Sequence, residues 1–181
     1  MKLFFASDLH GSLPATEAML ALFEQSDAQT LVLLGDILNH GPRNLIPEGY
    51  NPVAVAERLN QYADSIIAVR GNCDSEVDQM LLKFPMMMDY AWVLLESGVR
   101  FFITHGHLYN AQQMPPLKNG DVLIHGHTHI PTAEPLNQVF IMNPGSVTFP
   151  RNNFPPSYAI YSEGLFQILG LNGELIIKNS I

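Results

Sequence analysis

Five times along this chain a short apolar run stops on a small polar signature, and that recurrence limits the fold more than any other feature. Leu3–Ala6 leads into Asp8-Leu9-His10, Thr30–Leu34 into Gly35-Asp36, and Ser65–Val69 into Gly71-Asn72. Phe101–Ile103 leads into His105-Gly106-His107, and Val122–Ile124 into Gly126-His127-Thr128-His129. Runs this short, bounded by glycine and polar residues, read as buried strands. Between the first three lie stretches with helical spacing. One is Pro14–Phe23, with Ser12 placed as its N-cap and Pro14 in its first turn, and the other is Pro52–Tyr62. Strand-helix-strand alternation implies parallel pairing through crossover helices. In such a sheet the carboxyl ends of the strands converge on one crevice, so residues far apart in sequence meet there.

The second half changes character. Trp92–Ile103 reads as two strands joined at Ser97-Gly98, and further strands are expected at Val139–Met142 and Tyr158–Tyr161, with a closing hairpin at Asn172-Gly173. The expected fold is α/β: a four-layer sandwich of two mixed β-sheets flanked by helices, formed by residues 1–181 as a single domain. The longest irregular stretch is His40–Asn51, with Gly41, Pro42, Pro47 and Gly49. A loop of that length inside a compact domain is usually functional or mobile.

The residues at the strand ends are carboxylate, amide and imidazole, the donors that hard and borderline divalent cations accept. The glycines at 11, 35, 71, 106 and 126 permit tight turns and leave room beside them. Each signal alone has an ordinary reading. Asp-x-His after a strand is commonly a turn or cap device, and Gly-Asp or Gly-Asn is commonly just a turn. Five of them at five strand ends in 181 residues argue for one site.

Composition narrows the classes. An apolar fraction of 47% with 14% charged residues is that of a globular chain. No apolar run approaches the ~20 residues of a membrane span, and the N-terminal apolar stretch is too short for a signal peptide. Cys73 is the sole cysteine, which excludes an intrachain disulfide and fits a reducing, cytoplasmic setting. A net charge of −8, with nine scattered Lys and Arg, argues against a nucleic-acid polymer as partner. A small anionic substrate is compatible with a locally positive site.

In order, Asp8-Leu9-His10, Gly35-Asp36, Gly71-Asn72-Cys73-Asp74, His105 and Gly126-His127-Thr128-His129 resemble the five blocks of the calcineurin-like metallophosphoesterase superfamily. The likeness spans Met1 to about Tyr161. The uncapped chain and Asn143-Pro144-Gly145-Ser146 point to its small bacterial and archaeal phosphodiesterase branch, and also to the retromer subunit of this fold. The resemblance implies two divalent ions, one held by Asp8, His10 and His129 and the other by Asn72, His105 and His127, with Asp36 bridging. It implies Mn²⁺ first, with Fe²⁺, Zn²⁺ or Ni²⁺ as alternatives, and a hydroxide between the ions as nucleophile, so no side chain is required in that role. The implied activity is hydrolysis of a small phosphodiester. The alternatives are phosphomonoester hydrolysis and a non-catalytic scaffold for protein interaction, and a homo-oligomer is compatible with either.

Several neighbours carry two readings each. Asn39, Arg43 and Cys73 are candidate substrate contacts. Against that, Arg43 could sit on a solvated loop paired with Glu48 or Asp74, and Cys73 could be a small buried residue. Arg43 is the one basic residue the sequence places near the site. His107 and His125 are expected to buttress ligands, Asp74 to cap the following helix, Met86-Met87-Met88 to be core or a subunit contact, and Asn143–Ser146 to form a turn beneath the ligand loops.

Overall fold

The computed structural model describes residues 1–181. The first half runs β1 (Lys2–Ala6), α1 (Leu13–Gln25), β2 (Thr30–Leu33), α2 (Pro52–Leu59), β3 (Ile66–Ala68) and α3 (Glu76–Leu81). The second half is almost all strand: β4 (Tyr90–Leu94), β5 (Arg100–Thr104), β6 (Val122–Ile124), β7 (Thr132–Leu136), β8 (Val139–Asn143), β9 (Ser157–Ser162), β10 (Leu165–Gly170) and β11 (Leu175–Ser180). Two mixed sheets result, ordered β11-β10-β9-β1-β2-β3 and β4-β5-β6-β8-β7. β1, β2 and β3 are parallel, as are β5, β6 and β8.

The pleat explains the layering. Leu3 and Phe5 of β1 point between the sheets, where they meet Phe101, Ile103, Val122, Ile124 and Phe166. Phe4 and Ala6 point the other way, onto Met19, Leu20 and Phe23 of α1 and Val55 and Leu59 of α2. One strand with two apolar faces is thus buried on both sides, the pattern of a parallel strand beneath helices. The helices pack on the first sheet. The outer face of the second sheet is covered by side chains such as Tyr109 and Leu117, which pack on Phe102, Leu123 and Ile141. Met86 is fully buried in the helix-side core and Met88 is exposed, so the methionine run is core at its first residue.

Two local expectations are corrected, and one strand carried no expectation. Ser12 does occupy the N-cap of α1, but its side chain makes no capping bond. Its hydroxyl instead donates to the Glu48 carbonyl and ties the long loop to the helix start. The second helix ends at Leu59 and tightens into a 3₁₀ turn over Asn60–Ser65, with non-helical backbone at Tyr62. β7 was not visible in the sequence because Pro135 interrupts it. Proline is admissible there because β7 lies at the edge of its sheet.

Candidate metal centre

Asp8, His10, Asp36, His127 and His129 all have left-handed backbone, with φ between +49° and +65°. That conformation costs an ordinary residue about 1–2 kcal/mol, and Asp and His are among the types that tolerate it. Five such residues at the ends of β1, β2 and β6 form a concentration of strain typical of functional sites. The turns are also crowded. A Cβ on Gly71 would fall 2.1 Å from Asp36 Oδ1, and one on Gly126 would fall 1.9 Å from Ser7 Oγ. Glycine at these two positions lets neighbouring strand-end loops touch.

The seven side chains converge. Asp8 Oδ1 lies 3.1 Å from His129 Nε2 and 3.7 Å from His10 Nε2. Asp36 Oδ2 lies 3.8 Å from His10 Nε2 and 3.5 Å from His105 Nε2. His105 Nε2 is 3.1 Å from Asn72 Oδ1 and 3.2 Å from His127 Nδ1. Asp36 therefore stands between an Asp8–His10–His129 group and an Asn72–His105–His127 group. Asp8, His10, Asp36, His105 and His129 are buried.

Hydrogen bonds to main-chain carbonyls fix how the rings face. His10 Nδ1 is 2.9 Å from the Asn39 carbonyl, His105 Nδ1 2.7 Å from that of Leu34, and His129 Nδ1 2.6 Å from that of Phe149. A carbonyl oxygen only accepts, so each Nδ1 carries a proton and each ring turns its Nε2 toward the carboxylates. Carboxylate oxygens and ring nitrogens this close together are stabilised by positive charge among them, whether a proton on a ring or a metal ion. Asp8 Oδ1 and His10 Nε2 are moreover buried without any hydrogen-bond partner, and such orphans are rare and costly. A bound divalent ion would supply that charge and partner the two orphan atoms, and the all-oxygen-and-nitrogen donor set suits one.

The acid-base balance bears the same mark. Burial would raise the Asp8 carboxyl, but the adjacent His129 ring and the other surrounding imidazoles outweigh it and hold Asp8 well below the usual carboxylate range. Burial opposes protonation of His129, yet the adjacent Asp8 carboxylate overcomes this and raises its pKa. His127 has no carboxylate against its ring, and burial lowers it to about 4, reinforced by repulsion from His105. Its ring is thus an available lone-pair donor at neutral pH.

Neighbouring residues support the ligands. The Ser7 hydroxyl and the His127 amide donate to Asp8 Oδ2 at 2.7 and 3.1 Å. The Asn143 amide donates to the Gly126 carbonyl and the Thr128 hydroxyl, and Ser146 Oγ donates to the Asp8 carbonyl, so Asn143–Ser146 is the expected turn beneath the ligand loops. His125 is buried with Nδ1 bonded to the Gly126 carbonyl, and the half-buried His107 ring packs against His105.

Asp74 is a correction. It does not cap α3, whose N-cap is Ser75 in a capping box with Asp78. The Asp74 carboxylate accepts from the amides of Asp36, Ile37 and Gly71 at 2.7–2.9 Å, clamping the β2 and β3 loops together. Burial lifts its pKa to about 6, against the pull of those amides.

The open side is a cleft of about 360 Å³ lined by His10, Asp36, Asn72, Cys73, His127 and His129, with Arg43 and Arg151 also in its wall. Cys73 is half-buried; its amide donates to Asp36 Oδ1, and burial and the Asp36 carboxylate push its thiol far up. Arg43 is exposed and pairs with neither Glu48 nor Asp74. The Asn39 side chain accepts from the Gly41 amide, and the residue's contribution to the site is its carbonyl on His10. Arg151 is a second basic residue at the cleft, missed because no local pattern ties it to the ligand blocks.

No helix is long and apolar enough to cross a membrane. A family profile described as the calcineurin-like phosphoesterase superfamily domain matches residues 1–163. The chain is 57% identical over 177 residues to phosphodiesterase YfcE of Escherichia coli K12, covering 98% of this chain and 96% of that one. The solved structure of YfcE, a phosphoesterase from E. coli, superposes with a TM-score of 0.98 at 54% identity and full coverage of both chains. Vacuolar protein sorting 29 of Cryptosporidium parvum shares the fold, with a TM-score of 0.65 at 18% identity over 99% of this chain and 98% of the other. With that profile over most of its length, and with the five motif blocks meeting at the strand ends, the chain belongs to the calcineurin-like phosphoesterase superfamily.

Proposed function

We propose that this protein is a phosphodiesterase that holds two divalent ions, one on Asp8, His10 and His129 and the other on Asn72, His105 and His127, with Asp36 shared. The observation that carries the reading is the convergence of imidazole lone pairs and carboxylate oxygens, two of them buried without partners, at the floor of an open polar cleft. When bound, such a pair of ions supplies Lewis acidity and water ionised near neutral pH. The protein's own residues do the rest. The Asn39, Leu34 and Phe149 carbonyls orient the three histidines, the Cys73 amide and the Ser7 hydroxyl donate to the Asp36 and Asp8 carboxylates, and Asp74 holds the Asp36 main chain. Mn²⁺ is the favoured metal, since the donors are oxygen and nitrogen and the resemblance of the five motif blocks implies it. The substrate class is a small phosphodiester, in keeping with the activity named for YfcE, and the lone free cysteine fits a cytoplasmic protein.

The likeness to vacuolar protein sorting 29 supports a second reading, a protein-interaction scaffold, but fold alone does not decide function. A scaffold has no need of a complete ligand set, and all seven side chains are present and convergent here. The test is chelation followed by restoration. Chelated protein is expected to be inactive, and Mn²⁺ to restore hydrolysis of bis(p-nitrophenyl) phosphate. Equal and negligible turnover with and without metal would overturn the enzyme reading.

A further inference from the structure

The chain has five arginines, and three are committed to carboxylates: Arg58 to Glu17 at 3.7 Å, Arg70 to Asp89 at 2.6 Å and Arg100 to Asp121 at 2.5 Å. The two without a carboxylate partner, Arg43 and Arg151, both stand in the wall of the metal cleft. In a chain with 17 acidic residues and a net charge of −8, that segregation calls for an explanation.

Their backbones are fixed although their side chains are exposed. The turn bearing Arg43 is closed by the Asn44 amide on the Gly41 carbonyl and by the Asn44 side chain on the His40 carbonyl. Arg151 is pinned by its own amide on the His129 carbonyl and by the Phe154 amide on its carbonyl. The same two loops supply the carbonyls of Asn39 and Phe149 that orient His10 and His129. Each arginine is therefore rooted at a set position on the rim of the cleft, from which its flexible side chain can reach groups beyond the scissile phosphoryl.

We infer that Arg151, together with Arg43, forms an anion clamp at the mouth of the cleft that selects phosphodiesters carrying a second anionic group, such as a phosphate monoester, on one ester arm. This rests on the phosphodiesterase reading and names its substrate class. Guanidinium forks match phosphate and carboxylate oxygens in bidentate geometry, and a wall with few apolar residues favours a charged arm over a greasy one. The clamp also lets an acidic protein accept a multiply charged ligand, since the local field is set by the nearest cations.

Binding tests the clamp apart from catalysis. Thymidine 3′,5′-bisphosphate and thymidine 5′-monophosphate are titrated calorimetrically into the Mn²⁺-treated protein and into the chelated protein. The expected result is at least about tenfold tighter binding of the bisphosphate, a preference that collapses to within about twofold in Arg151→Gln and in Arg43→Gln/Arg151→Gln. The preference is a ratio, so a general loss of folded protein cancels. Circular dichroism and metal content confirm that the variants remain folded and loaded. Equal affinities in the wild type, or a preference that survives in the double variant, would overturn the clamp. In parallel, kcat/KM is compared for the p-nitrophenyl ester of thymidine 5′-monophosphate with and without a 3′-phosphate. Cleavage of both at equal kcat/KM overturns the clamp and leaves the phosphodiesterase standing. Cleavage of neither overturns the phosphodiesterase, while the binding ratio still decides the clamp.

Discussion

Replacing Ser146 with alanine removes one oxygen and should affect both stability and metal binding. Ser146 is fully buried. Its hydroxyl donates to the Asp8 carbonyl at 3.0 Å and accepts from the Thr148 and Phe149 amides at 3.2 and 2.8 Å. Alanine strands all three main-chain groups. The Asp8 carbonyl belongs to a fully buried residue, so losing its partner costs about 1–3 kcal/mol. Thr148 and Phe149 are only half-buried, so water takes over part of their demand, and each loses about 0.5–1 kcal/mol. The sum is about 2–5 kcal/mol, or a fall in Tm of roughly 4–20 °C at this chain length. The same hydroxyl joins the Asp8 loop to the loop whose Phe149 carbonyl orients His129. Metal affinity at Asp8, His10 and His129 should therefore fall about 10–100-fold, as it does when a ligand loses its orienting partner. Urea unfolding of the chelated protein gives the first quantity, and Mn²⁺ titration in native buffer gives the second. A destabilisation below about 0.5 kcal/mol with unchanged Mn²⁺ affinity would refute the argument, since it would mean the three groups find other partners at no cost.

Two further outcomes are expected. Asp36→Asn should lose metal content and rate together, because the residue stands between both ligand groups; retention of two tightly bound ions and most of the rate, measured by elemental analysis and steady-state kinetics, would exclude the bridging role. Cys73 lies in the wall of the cleft beside Asn72, and a thiol raised by burial and Asp36 is poorly matched to protonating a leaving group at neutral pH. With its thiol pushed far up, a plot of rate against leaving-group pKa should be steep in the wild type, flatter in Cys73→His by up to about 10²-fold for poor leaving groups, and unchanged in Cys73→Ser. A shallow wild-type slope that steepens in Cys73→Ser would contradict this.

What the sequence disclosed, and what it hid, follows from how each contact is encoded. Asp8, His10, Asp36, Asn72, His105, His127 and His129 were legible because their side-chain chemistry recurs at strand ends, and the strands were legible from apolar runs bounded by glycine. The groups that orient them were not. Leu34, Asn39 and Phe149 act through carbonyl oxygens, which any residue supplies, so no residue type marks the position. Asp74 misled because Asp-Ser before a helix reads as a cap, whereas Ser75 takes that role and frees the carboxylate to bind three amides of the ligand loops. Arg151 carries no signal of its own, since a lone arginine in a loop reads as solvated, and only the packing of the 144–156 segment against His129 brings it to the cleft.

On the proposed function, that hidden layer makes metal geometry and substrate recognition hard to separate by mutation. The loop that places Arg43 also presents the Asn39 carbonyl to His10, and the loop that places Arg151 presents the Phe149 carbonyl to His129. A backbone change in either loop moves a guanidinium and rotates an imidazole at once, and neighbours within one such network do not contribute additively. Lost turnover in a loop variant therefore cannot be assigned to substrate binding or to metal loading from kcat/KM alone. Side-chain truncations at Arg43 and Arg151 leave both carbonyls in place, whereas truncation at Ser7, whose hydroxyl holds Asp8 Oδ2, leaves both arginine loops in place. Comparing the two kinds of variant separates the rim of the cleft from its floor.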